Sequence, residues 1–152
     1  MGRAEYTFRR LDESCAEEIA ELFTDVFTRE PWNDDWSDRE QLRLYIHDLT
    51  GQGNSLTFGL YQGEELLGVS MGRVKHWYEG TEYCVDELCV RTGCQGQGLG
   101  TVLVEEIEKA CIGLGLAYIF LMTESDVPAF GFYKKLGFYQ LEKNAAFAKK
   151  LR

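Results

Sequence analysis

The sequence feature that most constrains the fold is a glycine-rich segment, Gln95-Gly96-Gln97-Gly98-Leu99-Gly100-Thr101. It lies between a predicted strand over residues 82–90 and a predicted helix whose apolar face begins at Leu99. Glycines let the backbone approach a ligand closely, and a helix start offers unpaired N–H groups at the positive end of its dipole. Together they predict a pyrophosphate site that needs no basic side chain. The alternative interpretation is a turn that only reverses the chain.

Two common phosphate-binding motifs do not fit this segment. A Rossmann fingerprint starting at Gly96 and Gly98 would need a glycine where Thr101 stands, although Glu124 could supply the ribose-binding acid. The chain is also short for a doubly wound domain plus a substrate site. A P-loop is excluded because no Gly-Lys-Ser/Thr follows the glycines.

Periodicity divides the chain into ten elements in the order β-α-α-β-β-β-α-β-α-β. In the first half these are a strand at 6–11, a helix opened by the capping box Ser14-x-x-Glu17, a helix opened by Ser37-x-x-Glu40 and ending near Leu49, and a hairpin of strands 55–61 and 65–74. In the second half they are the strand at 82–90, the helix after the glycine segment, an apolar run at 116–122, a helix at 129–136 and a strand at 146–151.

Residues 82–124 form one β-α-β unit, whose strands should be parallel because a helix connects them. The run at 116–122 is continuously apolar and should be buried on both faces. The length favours a single domain over residues 1–152. We therefore predict an α/β (α+β) fold with a mixed sheet and helices on both faces.

The chain is strongly acidic, with 16 Lys and Arg against 25 Asp and Glu and a net charge of −9. Such a surface repels phosphate backbones, so nucleic acid is not an expected partner. It would attract a small cation, or simply keep the protein soluble. No apolar run approaches the ~18 residues of a membrane span. With no membrane partner and no apolar signal at the N-terminus, we expect a cytoplasmic protein.

The five cysteines and two histidines form no metal-binding motif. No CxxC pair is present and no cysteine stands next to a histidine, so we expect no metal. The thiols are expected to be reduced and mostly buried.

Two motifs resemble those of the GNAT family of N-acetyltransferases. Gln95, Gly98 and Gly100 match Gln/Arg-x-x-Gly-x-Gly/Ala, which resembles the family's acetyl-CoA-binding motif, and residues 129–138 (AFGFYKKLGF) are similar to its A-x-x-F/L-Y-x-x-x-G-F segment. The order of elements is also the family's, which implies its mostly antiparallel sheet around a central β-α-β unit. Four positions depart from the family's common pattern: Arg91-Thr92 stands for Asp-Pro, Gln95 for Arg and Asp126 for Asn.

The resemblance implies acetyl-CoA as the co-substrate. In the family the fourth strand splays from the fifth, and its exposed backbone pairs with the pantetheine arm. The corresponding residues here are Leu88, Cys89 and Val90. The pyrophosphate would be wrapped by Gln95, Gly96, Gln97, Gly98, Leu99, Gly100 and Thr101. Asp126 is a further candidate contact to CoA.

Acetyl transfer to an amine needs a base for the ammonium and an acid for the leaving thiolate. Tyr133 occupies the family's general-acid position, although it shares a helical face with Ala129 and Leu136 and could be a packed aromatic. Asp86 sits where polyamine acetyltransferases of the family carry a carboxylate base, and Glu87 would support it or bind substrate. Alternatively, both acids face solvent or form salt bridges. Adjacent strand residues face opposite sides, so at most one should point into a given cleft.

The segment Trp32-Asn33-Asp34-Asp35-Trp36 lies where the family places its acceptor loop. Indoles and carboxylates together suit a cation. The candidate substrate-binding residues are Trp32, Asp34, Asp35 and Trp36, with Tyr78 and Glu79 as a second wall before the strand at 82–90. Alternatively, the tryptophans anchor the loop to the core and the acids solvate it.

These observations predict an N-acetyltransferase that moves an acetyl group from acetyl-CoA to the primary amine of a small cationic acceptor by direct attack. The acceptor would be a polyamine, an amino acid derivative or an aminoglycoside. Protein N-termini or lysines are the alternative acceptors, and a non-catalytic acyl-CoA sensor is the alternative class, against which Tyr133 and Asp86 argue. Transfer through Cys89 or Cys94 is disfavoured because no histidine neighbours either residue. The resemblance to the family also leads us to expect a homodimer.

Overall fold

The computed structural model describes residues 5–152, which form two compact units. The first unit, ending at Met122, contains β1 (Thr7–Leu11), α1 (Ala16–Phe27), α2 (Arg39–Thr50), β2 (Ser55–Gln62), β3 (Glu65–Trp77), β4 (Gly80–Val90), α3 (Leu99–Gly113) and β5 (Tyr118–Leu121). The second unit, Thr123–Arg152, contains α4 (Pro128–Lys135). Short 3-10 turns, Glu13–Cys15 and Thr92–Cys94, precede α1 and α3. The single domain over 1–152 stays a prediction.

The five strands form one sheet in the order β1-β2-β3-β4-β5. Neighbouring strands are antiparallel except β4 and β5, which are parallel. They are parallel because α3 carries the chain back from the end of β4 to the start of β5. The predicted mixed, mostly antiparallel sheet and its central β-α-β unit are confirmed.

Helices cover both faces of the sheet. Side chains alternate along a strand, which gives the sheet two apolar faces. Phe23 of α1 and Ile46 of α2 share one core with Met71, and we call this side the α1/α2 face. Leu103 of α3 shares the opposite core with Tyr83. Among residues 5–152, no helix has the length and apolar character that a membrane crossing requires.

The two predicted serine caps are wrong by one or two residues. Asp12, not Ser14, is the acceptor before α1: its carboxylate accepts the Ser14 N–H at 2.9 Å, and a 3-10 turn intervenes. Asp38, not Ser37, caps α2 and accepts the Gln41 N–H at 3.0 Å. A carboxylate is the stronger acceptor and also interacts with the positive end of the helix dipole.

Two predictions in the C-terminal half are also wrong. The run at 116–122 is not buried on both faces, since Tyr118 is 42% and Met122 75% exposed. The reason is that β5 lies at the edge of the described sheet. No strand forms at 146–151, a segment rich in alanine and lysine, which have low strand propensity.

Candidate active site

A β-bulge interrupts β4 at Asp86. On β3, Gly72 pairs with Val85 and Met71 pairs with Glu87, so Asp86 is an extra residue in the ladder between the two strands. A bulge of this kind bends the strand and redirects its side chains.

The bulge puts both neighbouring acids on the α1/α2 face. Glu87 accepts a hydrogen bond from Tyr45 of α2. Asp86 contacts Arg73, which lies two residues beyond Met71 on β3 and shares its face. The bulge therefore breaks the alternation that would have put the two acids on opposite faces. The expectation that at most one of them points into a given cleft stays a prediction.

Glu87 is a half-buried carboxylate with a raised pKa. Burial raises its pKa, the Tyr45 O–H lowers it by donating to Oε1 at 2.6 Å, and the negative charges of Asp34 and Asp86 raise it again. The pKa of Tyr45 is also raised, first by burial and then by its bond to Glu87, so the hydroxyl remains a donor. A carboxylate with a raised pKa is suited to taking up a proton.

Asp86 lies in an open cleft next to β5. Nη1 of Arg73 is 3.0 Å from each of its two carboxylate oxygens. The cleft forms because the pairing of β4 with β5 ends at Val85 and Leu121. Its lining consists of Arg73, Cys84, Val85, Asp86, Phe120 and Met122. Part of the acceptor capacity of Asp86 is therefore used by Arg73, whereas Glu87 is bonded to a neutral hydroxyl.

The three predicted pantetheine contacts lie on β4, beyond its last residue that pairs with β5. On the β5 side, Leu88, Cys89 and Val90 have no strand partner in the described sheet. The Val90 carbonyl accepts a hydrogen bond from Nε2 of Gln95 at 3.2 Å. An open strand edge of this kind can bind an extended chain that carries amide groups.

The glycine turn forms an exposed cradle at the start of α3. Gly96 and Gly98 have φ angles of 81° and 79°, which favour glycine, and a Cβ on either would meet no atom within 4 Å. Gly98 is the N-cap residue of α3, so no side chain caps this helix, and the first turn of α3 contains no acid. Its backbone N–H groups can therefore bind an anion. Leu99, the first residue of α3, is buried and anchors the start of the helix. Gln97 is exposed, and Gly100 and Thr101 are partly buried.

The indoles of the segment 32–36 pack against the core. Trp32 contacts Phe27 at 5.5 Å between ring centroids. Trp36 stacks on Tyr45 at 5.2 Å. These contacts favour the anchoring role for the tryptophans and bring Trp36 next to the hydroxyl that bonds Glu87.

The two acids of the segment 32–36 have different environments. The Asp35 carboxylate accepts the Ser37 N–H at 3.0 Å, and the hydrogen bonds of Ser37 lower its pKa. Asp34 is exposed and close enough to raise the pKa values of Glu87 and Tyr45. Asp34 is therefore the acid of this loop whose negative charge acts on the carboxylate of Glu87.

Tyr78 and Glu79 are not brought to the acid pair. They form the turn between β3 and β4, where Tyr78 is 82% exposed and its pKa is raised by a hydrogen bond to Glu79. Asp86 lies six residues further along β4 than Gly80, about 20 Å at the usual rise per strand residue.

In the second unit, Tyr133 lies on α4 with its ring between two phenylalanines. The ring centroids of Phe132 and Phe138 are 5.2 and 5.4 Å from that of Tyr133. Asp126 is exposed and precedes α4.

Cys84 and Cys89, both on β4, are poor nucleophiles. Burial, with a contribution from Glu82, raises the pKa of Cys84 to about 11, and burial raises the pKa of Cys89 further. Both are thiols near neutral pH, which argues against acyl transfer through Cys89. Over residues 5–152, no group of three His, Cys, Asp or Glu side chains is arranged to hold a metal ion.

Two residues of the site, Tyr45 and Arg73, belong to no sequence motif. Tyr45 lies on the buried stripe of α2 next to Leu42 and Ile46. A tyrosine among buried apolar residues needs a partner for its hydroxyl, which is the one available signal. Arg73 carries no such signal, because its partner depends on the register of the bulge.

The sequence matches the family model described as acetyltransferase (GNAT) family over residues 16–138. The chain belongs to the GNAT family. The match contains both the glycine turn and the segment 129–138, and it confirms the predicted family and the class of acetyl-CoA-dependent N-acetyltransferases. No curated protein matches the chain with significance.

Solved structures share the GNAT fold over nearly the whole chain. An aminoglycoside acetyltransferase from an uncultured soil metagenomic sample, in complex with sisomicin, is 23% identical with a TM-score of 0.75, and 97% of each chain is covered. Aminoglycoside N-acetyltransferase AAC(6')-Iy in complex with CoA is 12% identical, with a TM-score of 0.74 and coverage of 99% and 98%. A ribosomal-protein-alanine N-acetyltransferase from Brucella melitensis biovar Abortus 2308 is 14% identical, with a TM-score of 0.72 and coverage of 97% and 100%. At these identities the likeness is one of fold.

Proposed function

We propose that this GNAT enzyme transfers an acetyl group from acetyl-CoA to the primary amine of a small cationic acceptor, such as an aminoglycoside, a polyamine or an amino acid derivative. The observation that carries the proposal is the group of carboxylates on the α1/α2 face, where the bulge puts Asp86 beside Glu87 and Asp34 acts on both Glu87 and Tyr45. Neighbouring carboxylates attract an ammonium ion. The net charge of −9 acts in the same direction.

The glycine turn and the open edge of β4 support acetyl-CoA as the co-substrate. Gly96 and Gly98 leave space where other residues would carry a Cβ, and uncapped N–H groups begin α3. Such groups suit a pyrophosphate. When bound, acetyl-CoA supplies the thioester that the amine attacks. Leu88, Cys89 and Val90 are our proposed contacts to its amide-bearing arm.

Glu87 is our candidate for the group that takes the proton from the ammonium. Its raised pKa favours proton uptake. Asp86, the other candidate base, already contacts the Arg73 guanidinium, and we assign it to holding the charge of the acceptor. Tyr133 Oη is the proposed proton donor on the leaving-group side, a role implied by its place in the family segment.

The proposal is tested by measuring CoA release at pH 7.5 from acetyl-CoA with a panel of amines. The panel contains aminoglycosides, polyamines, amino acid amides and a peptide with a free N-terminus. We expect turnover with small cations, with a kcat/KM that falls as salt rises, because exposed charges are screened within about 8–10 Å at physiological ionic strength. Turnover with the peptide alone would contradict the small-acceptor class. CoA binding without turnover on any amine would favour the sensor.

The loop acids offer a matched pair of variants. Asp34→Asn should raise the KM for the amine several-fold with little change in kcat, since a charge at ~4 Å in water contributes about 1 kcal/mol to ground and transition states alike. Asp35→Asn is the control, because an asparagine can still accept the Ser37 N–H. Equal effects of the two variants would contradict the role of Asp34.

A further inference from the structure

The glycine turn has little internal support of its own. Residues 93–100 include four glycines, and residues 95–98 are all exposed. Ordering glycines costs more conformational entropy than ordering other residues. A turn of this composition binds tightly only if something else holds it in the binding conformation.

That support is present at the entrance of the turn, in the two residues that replace the family's common Asp-Pro. Both terminal guanidinium nitrogens of Arg91 donate to Glu21 of α1, Nη1 to Oε1 at 2.9 Å and Nη2 to Oε2 at 2.8 Å. Nη2 and Nε also donate to the Leu66 carbonyl at 2.9 and 3.2 Å. Nε lies 3.4 Å from the carboxylate of Glu65.

The next residue extends the attachment. The Thr92 N–H donates to Oδ2 of Asp25 at 3.0 Å, and its hydroxyl donates to the Asp25 carbonyl at 3.2 Å. We call the contacts of Arg91 and Thr92 with α1 and the start of β3 the entrance clamp. It fixes the chain at the point where it leaves β4, four residues before Gln95.

The Arg91 side chain is only 19% exposed, and its guanidinium group donates to Glu21 and to the Leu66 carbonyl at the same time. Each of its three nitrogens has an acceptor, one pair on Glu21 and one on a backbone carbonyl. A lysine offers a single ammonium and cannot reproduce this two-sided geometry. The contact is therefore specific to arginine rather than to positive charge.

We propose that Arg91 is a positioning residue for the pyrophosphate of acetyl-CoA: through the entrance clamp it holds the glycine turn in its binding conformation. The inference rests on the proposed function, since it assigns the turn to acetyl-CoA. It predicts an effect that depends on the part of the donor that the turn contacts. A donor without the pyrophosphate should be insensitive to the clamp.

The experiment compares acetyl-CoA with acetyl-pantetheine, which lacks the pyrophosphate, as donors for wild-type protein, Arg91→Met and Arg91→Lys. Arg91→Met should raise the KM for acetyl-CoA by between about 5- and 150-fold, the usual range for coupling between two sites, with kcat at saturation nearly unchanged. Its kcat/KM for acetyl-pantetheine should equal that of the wild type. Arg91→Lys should give an intermediate loss with acetyl-CoA.

The matched control is Arg43→Met, which breaks another two-nitrogen contact of an arginine with a glutamate, Glu40, on the exposed side of α2. It should leave both donors unchanged. A loss of equal size on both donors in Arg91→Met, or no loss on either, would overturn the inference. Calorimetry of CoA binding to the wild type separates the two proposals. Binding that is equal in wild type and Arg91→Met refutes the clamp alone, and a wild type that binds no CoA refutes the proposed function and the clamp with it.

Discussion

Replacing Tyr45 with phenylalanine removes one hydroxyl from the environment of Glu87 and keeps the ring that stacks on Trp36. The hydroxyl donates to the carboxylate, so it stabilises the ionised form. Burial and the charges of Asp34 and Asp86 act in the opposite direction. In the Tyr45→Phe variant only the influences that raise the pKa of Glu87 remain, and the pKa must rise further.

The size of the change follows from the hydrogen bond. A bond to a charged group contributes about 1.5–3 kcal/mol, and the lower value applies because Glu87 is only half-buried. One pKa unit corresponds to about 1.4 kcal/mol. The pKa of Glu87 should therefore rise by about one unit in Tyr45→Phe.

The assay is the pH profile of kcat/KM, whose acid limb reports the base of the free enzyme. If Glu87 is that base, the acid limb of Tyr45→Phe should move upward by about one pH unit. Tyr61→Phe is the control, because Tyr61 donates to Glu18 in a second tyrosine–glutamate pair on other elements. An acid limb that stays in place or moves downward in Tyr45→Phe would refute Glu87 as the base. A limb that is lost in Asp86→Asn would transfer the role to Asp86.

Three further predictions concern substitutions at single residues. Glu87→Gln should lower kcat and also raise the Tm near pH 7 but not at pH 4: the raised pKa makes folded Glu87 hold its proton more tightly than the unfolded chain, so its ionisation costs stability as pH rises above the ordinary value of about 4.3. Gly98→Asp should weaken CoA binding at least tenfold more than Gly98→Asn in calorimetry, since both residues tolerate a positive φ and only one adds a negative charge at the turn. Tyr133→Phe should lower kcat by about 10²–10⁴-fold, the usual contribution of a general acid, and turnover near the wild-type value would leave Tyr133 as a packing residue between Phe132 and Phe138.

Patterns within short segments predicted most of the fold. The β-α-β unit around the glycine turn follows from strand and helix periodicities that each need only a dozen residues, and the parallel pairing of β4 and β5 follows from their connection. The helix caps were predicted less well. Asp12 and Ser14, or Ser37 and Asp38, each offer an oxygen within reach of the same first turn, and the local sequence does not decide between them.

The features of the candidate site also fall into those set by the local sequence and those set by tertiary structure. The sequence by itself determined the glycine turn, since positive φ angles at Gly96 and Gly98 and a helix start are properties of consecutive residues. It also determined that two acids stand in β4. Only the tertiary structure decided that both lie on one face, because the bulge at Asp86 is set by the register of β4 against β3.

The partner of each acid was likewise decided by packing. Tyr45 meets Glu87 across 42 residues of sequence, and Arg73 meets Asp86 across 13. A strand pattern fixes which side chains alternate, but the burial that raises the pKa of Glu87 depends on the helices that pack against its face of the sheet. Contacts between distant segments are chosen by the free energy of the whole packed core, and no window of the sequence contains that information.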